Sequence, residues 1–198
     1  MRHNSQIVFH KKPRGKASGR INKEGKWIWE NVKWEKCCCG LWHSNRFIPS
    51  EFWNQSWNNN NDENRKKVGI ILTRDKSEIW ITQSYHNCYG FPKGEKEPFE
   101  SVEECAKREF KEETGCSVDK LDLSKTIAIR TAIENIQYIF YIIHVPKTFE
   151  LSTFPIDNVE ITSCGWFPIN RISELKLSKA MRRVFEMYKR NIWIINKV

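Results

Sequence analysis

The chain has 198 residues, 39% of them hydrophobic, and a formal net charge of +9. That length accommodates one domain of about 130–150 residues plus an extension, with enough apolar content for a core. No apolar run approaches the ~20 residues of a membrane-spanning helix, and the start MRHNSQIVFHKKPRGK lacks the roughly 7–15-residue apolar segment of a secretory signal. The expectation is a cytoplasmic protein without a membrane partner, whose basic surface attracts polyanions.

Residues 1 to about 25 carry Arg2, Lys11, Lys12, Arg14, Lys16, Arg20 and Lys23, and read as a basic mobile arm. A tryptophan-rich stretch follows, with Trp27, Trp29, Trp34, Trp42, Trp53 and Trp57. Within it Trp27-Ile28-Trp29 alternates like a strand, and the remainder has no clean period. The run Cys37-Cys38-Cys39 with His43 suggests zinc ligands. Adjacent cysteines do not readily chelate one tetrahedral ion, however, and no second ligand pair is evident, so reduced thiols are expected. The polar tract Asn58–Lys67 reads as a linker, giving an extension over 1–66 and a second domain over 67–198.

In that domain Val68–Leu72 reads as a buried strand and Glu78–Thr82 as its hairpin partner. Thr126–Thr131 and Ile136–Val145 read as two strands joined near Glu134-Asn135, and Ile161–Phe167 as a further strand. A basic amphipathic helix is expected over Ser178–Arg190. Strands, a helix, more strands and a terminal helix imply an α/β fold, a mixed sheet covered by helices.

The segment Gly94 to Cys116, GEKEPFESVEECAKREFKEETGC, carries the chemistry. Ser101 and Glu104 form an S-x-x-E capping box, so a helix begins at Val102, and Gly115 stops it. At about 100° per residue, Val102, Cys105, Ala106, Glu109 and Glu113 share one side, with Phe110 and Glu112 at its margins. Glu103, Glu104, Lys107, Lys111 and Thr114 form the opposite, solvated side. Glu109 and Glu113 thus lie on the stripe meant for the core, where repelling carboxylates are costly unless a cation compensates. Oxygen ligands suit Mg²⁺ or Mn²⁺, ions that also bridge phosphate oxygens, and Glu112 can reach the same ion. Taken alone, an EExG would read as a surface helix with ordinary acid–base pairing.

With Gly94, Glu100, Arg108-Glu109, Glu112-Glu113 and Gly115 all at their offsets, the segment resembles the Nudix box. Phe110 and Cys116 stand where that pattern more often has branched aliphatics. The resemblance implies an α/β/α sandwich with a mixed sheet and metal ligation by Glu109, Glu112 and Glu113, helped by the Gly94 carbonyl. Glu112 and Glu113 would also be catalytic. Glu100 and Arg108 would be a supporting pair that fixes the loop to the helix.

The flanks address the substrate. Tyr89-Gly90-Phe91-Pro92-Lys93-Gly94 is similar to the WGFPKG segment of the catalytic subunit of mRNA-decapping enzymes, with Tyr89 in place of tryptophan. Dinucleoside tetraphosphate hydrolases carry a related PKG loop. Glu160-Ile161 followed by Trp166-Phe167 is similar to the E-I-x-x-x-x-W-F stretch of decapping enzymes, which implies Glu160 as general base; a solvated loop carboxylate is the ordinary alternative. Lys179, Arg182, Arg183, Lys189 and Arg190 occupy the place of an RNA-binding helix.

The resemblance therefore implies a hydrolase of capped mRNA that releases 7-methylguanosine diphosphate and 5′-monophosphate RNA, with Lys93 stabilising negative charge. A hydrolase of dinucleoside polyphosphates or diphosphoinositol phosphates is the first alternative. A non-catalytic RNA-binding module is the second, and the intact glutamate set argues against it. Residues 1–66 show no copy of the helical regulatory domain of decapping enzymes, which compact viral decapping enzymes also replace. Their tryptophans could stack a methylated guanine or pack as a local core.

Overall fold

A computed structural model describes residues 17–21, 23, 27–46, 65–84, 88–119, 122–149, 151 and 161–195. Strands β1 (Ser18–Ile21) and β2 (Trp27–Glu30) pair with each other, antiparallel. The other described strands form one nine-stranded sheet. They are β3 (Trp34–Lys36), β4 (Trp42–Ser44), β5 (Lys66–Arg74), β6 (Glu78–Gln83), β7 (Tyr89–Gly90), β8 (Lys93–Glu95), β9 (Ala128–Ile133), β10 (Ile136–Val145) and β11 (Ser163–Pro168). The order is β3-β4-β11-β6-β5-β10-β9, with β7 on β6 and β8 on β5. β5 and β10 are parallel and the other named pairs antiparallel, so the sheet is mixed, as expected. Helices α1 (Val102–Thr114) and α2 (Lys179–Ile195) accompany it, with short 3-10 turns at Leu123–Lys125 and Ile169–Glu174.

The central strands are buried on both faces, which is why they read as continuous apolar runs. Val68, Ile70 and Leu72 of β5, with Ile139, Tyr141 and Ile143 of β10, pack with Cys105, Ala106 and Phe110 of α1. Alternate residues serve the opposite layer: Ile71, Ile79, Ile81, Tyr138, Phe140 and Ile142 pack with Met181, Val184, Phe185 and Tyr188 of α2. A sheet with one helix on each side is the α/β/α sandwich. No helix among the described residues is long and apolar enough to cross a membrane.

Turn chemistry matches strand spacing. Between β9 and β10, Glu134 and Asn135 both take positive φ (52° and 62°), the conformation a tight two-residue hairpin needs. Asp75 and Lys76 do likewise between β5 and β6. Gly69 has a different task. A Cβ there would overlap the Pro92 carbonyl and lie 2.7 Å from Lys93 Cβ and 2.9 Å from Phe140 Cε1. Its bare backbone lets Ile70 N–H reach the Pro92 carbonyl (3.1 Å), which seats the Phe91–Gly94 loop on the sheet. Phe91 is the loop's anchor: fully buried, it meets Phe140 edge-on at 5.9 Å.

Several local expectations change. Residues 18–21, read as part of a mobile arm, form β1 against the tryptophan-bearing β2. Lys66 and Lys67, read as linker, belong to β5 and face Gln137 and Tyr138 of β10. Residues 1–16 and 47–64 lie outside the described residues. Thr114, placed on the solvated side, is buried: its hydroxyl donates to the Phe110 carbonyl (2.6 Å) and accepts from Cys116 N–H (3.1 Å), so it loses no hydrogen bond by turning inward.

The segment before residue 66 also contributes to the sheet. β4 pairs with β11, Leu41 is fully buried, and a Cβ on Gly165 (φ 154°) would lie 3.2 Å from Leu41 Cδ2 and 3.4 Å from its Cα. Arg46, 2% exposed, lies 5.6 Å over the Trp34 ring and donates to the Ile161 carbonyl at 3.2 Å. Substituting Gly69→Ala should destabilise the fold by about 1–3 kcal/mol, because the loop backbone and an aromatic must both move. The midpoint of urea unfolding measures this, with Gly40→Ala, where a Cβ meets nothing within 4 Å but φ is 89°, as a comparison for backbone strain alone.

Candidate active site

The side chains of α1 are aimed by its two ends. Ser101 Oγ accepts from Glu104 N–H (3.1 Å) and the Glu104 carboxylate accepts from Ser101 N–H (2.7 Å), closing the expected capping box. Gly115 ends the helix at φ 74° and donates its N–H to the Lys111 carbonyl. With the ends fixed, Phe110 sinks into the core and carries Glu109 and Glu113 inward, where they are 9% and 7% exposed.

These two carboxylates meet the loop that precedes the helix. β8 pairs with β5 in a register that sets Gly94 opposite Val68 and Lys93 opposite Gly69. The Glu109 carboxylate lies directly against Gly94, where any Cβ would overlap it. A side chain at position 94 would therefore have to displace the Glu109 carboxylate. Glu113 Oε2 accepts from Thr82 Oγ1 (3.1 Å) and from the Lys93 N–H (3.4 Å). Thr82 went unrecognised in the sequence; the signal is a hydroxyl at the inward-facing position after Ile79-Trp80-Ile81.

Arg108 ties this arrangement together. Its guanidinium forks onto Glu100 (2.7 and 3.0 Å), reaches Glu109 Oε1 (2.7 Å) and Glu112 Oε2 (3.4 Å), and donates to the Glu95 carbonyl (3.0 Å). Glu100 also accepts from the Glu97 N–H at 2.7 Å, which folds the loop onto the helix. The Arg108 hydrogen bonds hold the Glu100 carboxyl down at about 2, and Glu100 in turn raises the guanidinium above its usual range. Burial pushes the Glu109 carboxyl up; Arg108 opposes this, and neighbouring Glu112 adds to it.

Glu109, Glu112 and Glu113 share one edge of α1, two buried and one exposed. Their oxygens are hard donors, and the buried pair sits where its charge is costly, so a divalent ion fits the chemistry of the set. Among the described residues the three carboxylates do not close on a single point, in contrast to Cys37, Cys39 and His43. Glu160 lies outside the described residues.

The five basic residues of α2 are exposed or partly exposed. Two of them are engaged: Lys179 pairs with Glu134 (2.6 Å) and Lys189 with Glu186 (2.7 Å). The helix packs on the sheet face opposite α1, yet its first turn meets the loop strand, since a Cβ on Gly90 would contact Met181 at 3.0 Å. Tyr89 N–H donates to the Lys176 carbonyl (2.9 Å), which joins the same loop to the approach of α2.

Residues 63–188 match the NUDIX domain family. Over 121 residues the chain is 29% identical to a protein of Invertebrate iridescent virus 3 named "Putative hydrolase 111R", an alignment spanning 61% of this chain and 68% of that one. It is similar to a C. elegans Ap4A hydrolase solved as a binary complex, with a TM-score of 0.50 and 15% identity over 64% of this chain and 96% of the other. Against the MutT protein of Methanosarcina mazei Go1 the TM-score is 0.49 at 20% identity, over 67% and 98% of the two chains. The structural likeness is one of fold.

The Glu100–Arg108 pair gives a pH dependence. The folded Glu100 carboxyl lies below its ordinary 4.5, so its contribution is complete above that pH and is lost as pH falls towards about 2. Glu100→Gln should lower Tm by roughly 2–4 °C at pH 7, about 1 kcal/mol after solvent screening. The gap from wild type should close between pH 4.5 and 2 in thermal melts; a gap that persists at pH 2 would assign the effect to packing.

Proposed function

The chain belongs to the Nudix family of hydrolases, and on that premise we propose that it cleaves the 5′ cap of RNA, releasing 7-methylguanosine diphosphate and 5′-monophosphate RNA. Nudix hydrolases generally use divalent ions such as Mg²⁺ or Mn²⁺. In this reading Glu109, Glu112, Glu113 and the Gly94 carbonyl hold them. Divalent ions held by these residues would supply positive charge to the phosphate bridge and would make a water more acidic.

The chain's own groups do the remaining work. Thr82 and the Lys93 N–H fix the Glu113 carboxylate, so its orientation does not depend on a flexible side chain alone. Arg108 holds Glu109 and Glu112 one turn from each other along the same edge. Glu160, or one of the helix glutamates, is the proposed general base on its sequence pattern. Lys93, next to Gly94, supplies positive charge to the phosphates.

The observation that carries the RNA reading is the basic helix that starts beside the catalytic loop. Met181 packs where Gly90 lacks a side chain, so α2 leads away from Tyr89–Gly94 as a backbone-binding surface would. Arg182, Arg183 and Arg190 are exposed and carry the proposal, because Lys179 and Lys189 already meet carboxylates. The opening of the loop with Tyr89-Gly90-Phe91-Pro92 agrees with it.

Incubating cap-labelled RNA with Mn²⁺ or Mg²⁺ should release labelled 7-methylguanosine diphosphate, and a bare cap dinucleotide should be cleaved far more slowly. Equal cleavage of the dinucleotide, or no competition from uncapped RNA, would move the assignment to small nucleotides. Glu113→Gln should lower kcat by about 10²–10⁴-fold with RNA affinity nearly unchanged. The triple substitution Arg182→Ala, Arg183→Ala, Arg190→Ala should instead weaken RNA binding and flatten its salt dependence, by roughly 0.7–0.9 in log–log slope for each phosphate no longer neutralised. Filter binding across a salt series reads both.

A further inference from the structure

We propose that Cys37, Cys39 and His43 hold a zinc ion that staples the turn of the β3–β4 hairpin, beside Tyr89. The site is separate from the glutamates of α1 and differs from them in chemistry.

The hairpin loop makes the convergence. Gly40 N–H donates to the Cys37 carbonyl (2.9 Å) and Cys37 N–H to the Leu41 carbonyl (2.8 Å), while Gly40 takes φ 89°. This tight curl puts the alternate residues Cys37 and Cys39 on one side and leaves Cys38 exposed, so the ligands are not adjacent in sequence. Leu41, just before β4, and His43, on β4, are both buried, 0% and 1% exposed. The two sulfurs and a ring nitrogen lie within 4.8 Å of one another, with Cys39 Sγ 3.3 Å from His43 Nε2. Zn–S bonds of about 2.3 Å and Zn–N bonds of about 2.0–2.1 Å, arranged tetrahedrally, require ligand atoms roughly 3.5–3.8 Å apart. Small rotations of the thiols reach that geometry.

The donor set selects the metal. Two sulfurs and an imidazole are soft to borderline ligands that favour zinc over the Mg²⁺ or Mn²⁺ suited to carboxylates. None of the seven cysteines is in a disulfide.

The staple would act on the catalytic loop. Cys39 packs against the core cluster that contains Tyr89. Tyr89 opens the strand that leads into Phe91–Gly94, and Leu41 packs in the same core cluster. The hairpin and the start of the loop are therefore held by one cluster.

Full-length protein purified without chelator should carry one zinc per chain by elemental analysis, and the zinc should resist excess Mg²⁺. Replacing it with Co²⁺ should give thiolate-to-cobalt charge-transfer absorption, which carboxylate ligation cannot produce. Cys39→Ser and His43→Ala should weaken zinc affinity by at least about 100-fold, whereas Cys38→Ser should retain it. A wild-type protein that stays zinc-free after anaerobic incubation with Zn²⁺, a cobalt spectrum without the thiolate band, or full zinc affinity in Cys39→Ser would overturn the assignment. The cobalt spectrum is read on wild-type protein, so it stands even if a variant fails to fold.

Discussion

One guanidinium makes the acidic edge of α1 tolerable. Arg108 is the cation that Glu100, Glu109 and Glu112 share, and it also caps the Glu95 carbonyl at the end of β8. A planar fork with five donors can meet this many acceptors at once, and a lysine could not. Glu113 lies outside that network and depends instead on Thr82 and a backbone N–H. The four glutamates are thus held in two different ways, and loop and helix cannot separate without leaving at least one carboxylate uncompensated.

The sandwich divides labour between its faces. On one side α1 brings carboxylates to the loop; on the other α2 presents a basic exterior and an apolar underside to the same sheet. The Tyr89–Gly94 segment touches both sides, because Phe91 drops into the α2 layer while Gly94 meets Glu109 of α1. Alternation within a six-residue stretch is enough to connect them. Glycines at 69, 90 and 94 are the positions where this crossing needs bare backbone.

What could be read beforehand follows from length and period. Val68–Leu72, Glu78–Thr82 and Ile136–Val145 were legible because strands buried on both faces leave long apolar runs, and Glu134-Asn135 because the turn needs positive φ. Ser101, Glu104 and Gly115 marked the ends of α1 by capping chemistry. β3 and β4 were not legible, since three residues show no period. Lys66 and Lys67 looked like linker because charge at a strand end resembles charge in a loop. Thr114 was assigned by angle alone, which ignores that a threonine can satisfy its hydroxyl on its own helix. Linear spacing counted against Cys37, Cys39 and His43, and only the curl of the hairpin shows them side by side.

The placement of β11 has a consequence for how the chain comes together. Its residues 163–168 lie between β4 and β6, so Trp42 and His43 find their backbone partners at Cys164 and Ser163, about 120 positions downstream. Closing so large a loop is entropically unfavourable until most other contacts exist. On a ribosome, the early tryptophan-bearing strands would wait, with one edge open, until residues 163–168 had emerged. That interval is when a holding chaperone, or an unwanted neighbour, would have its opportunity.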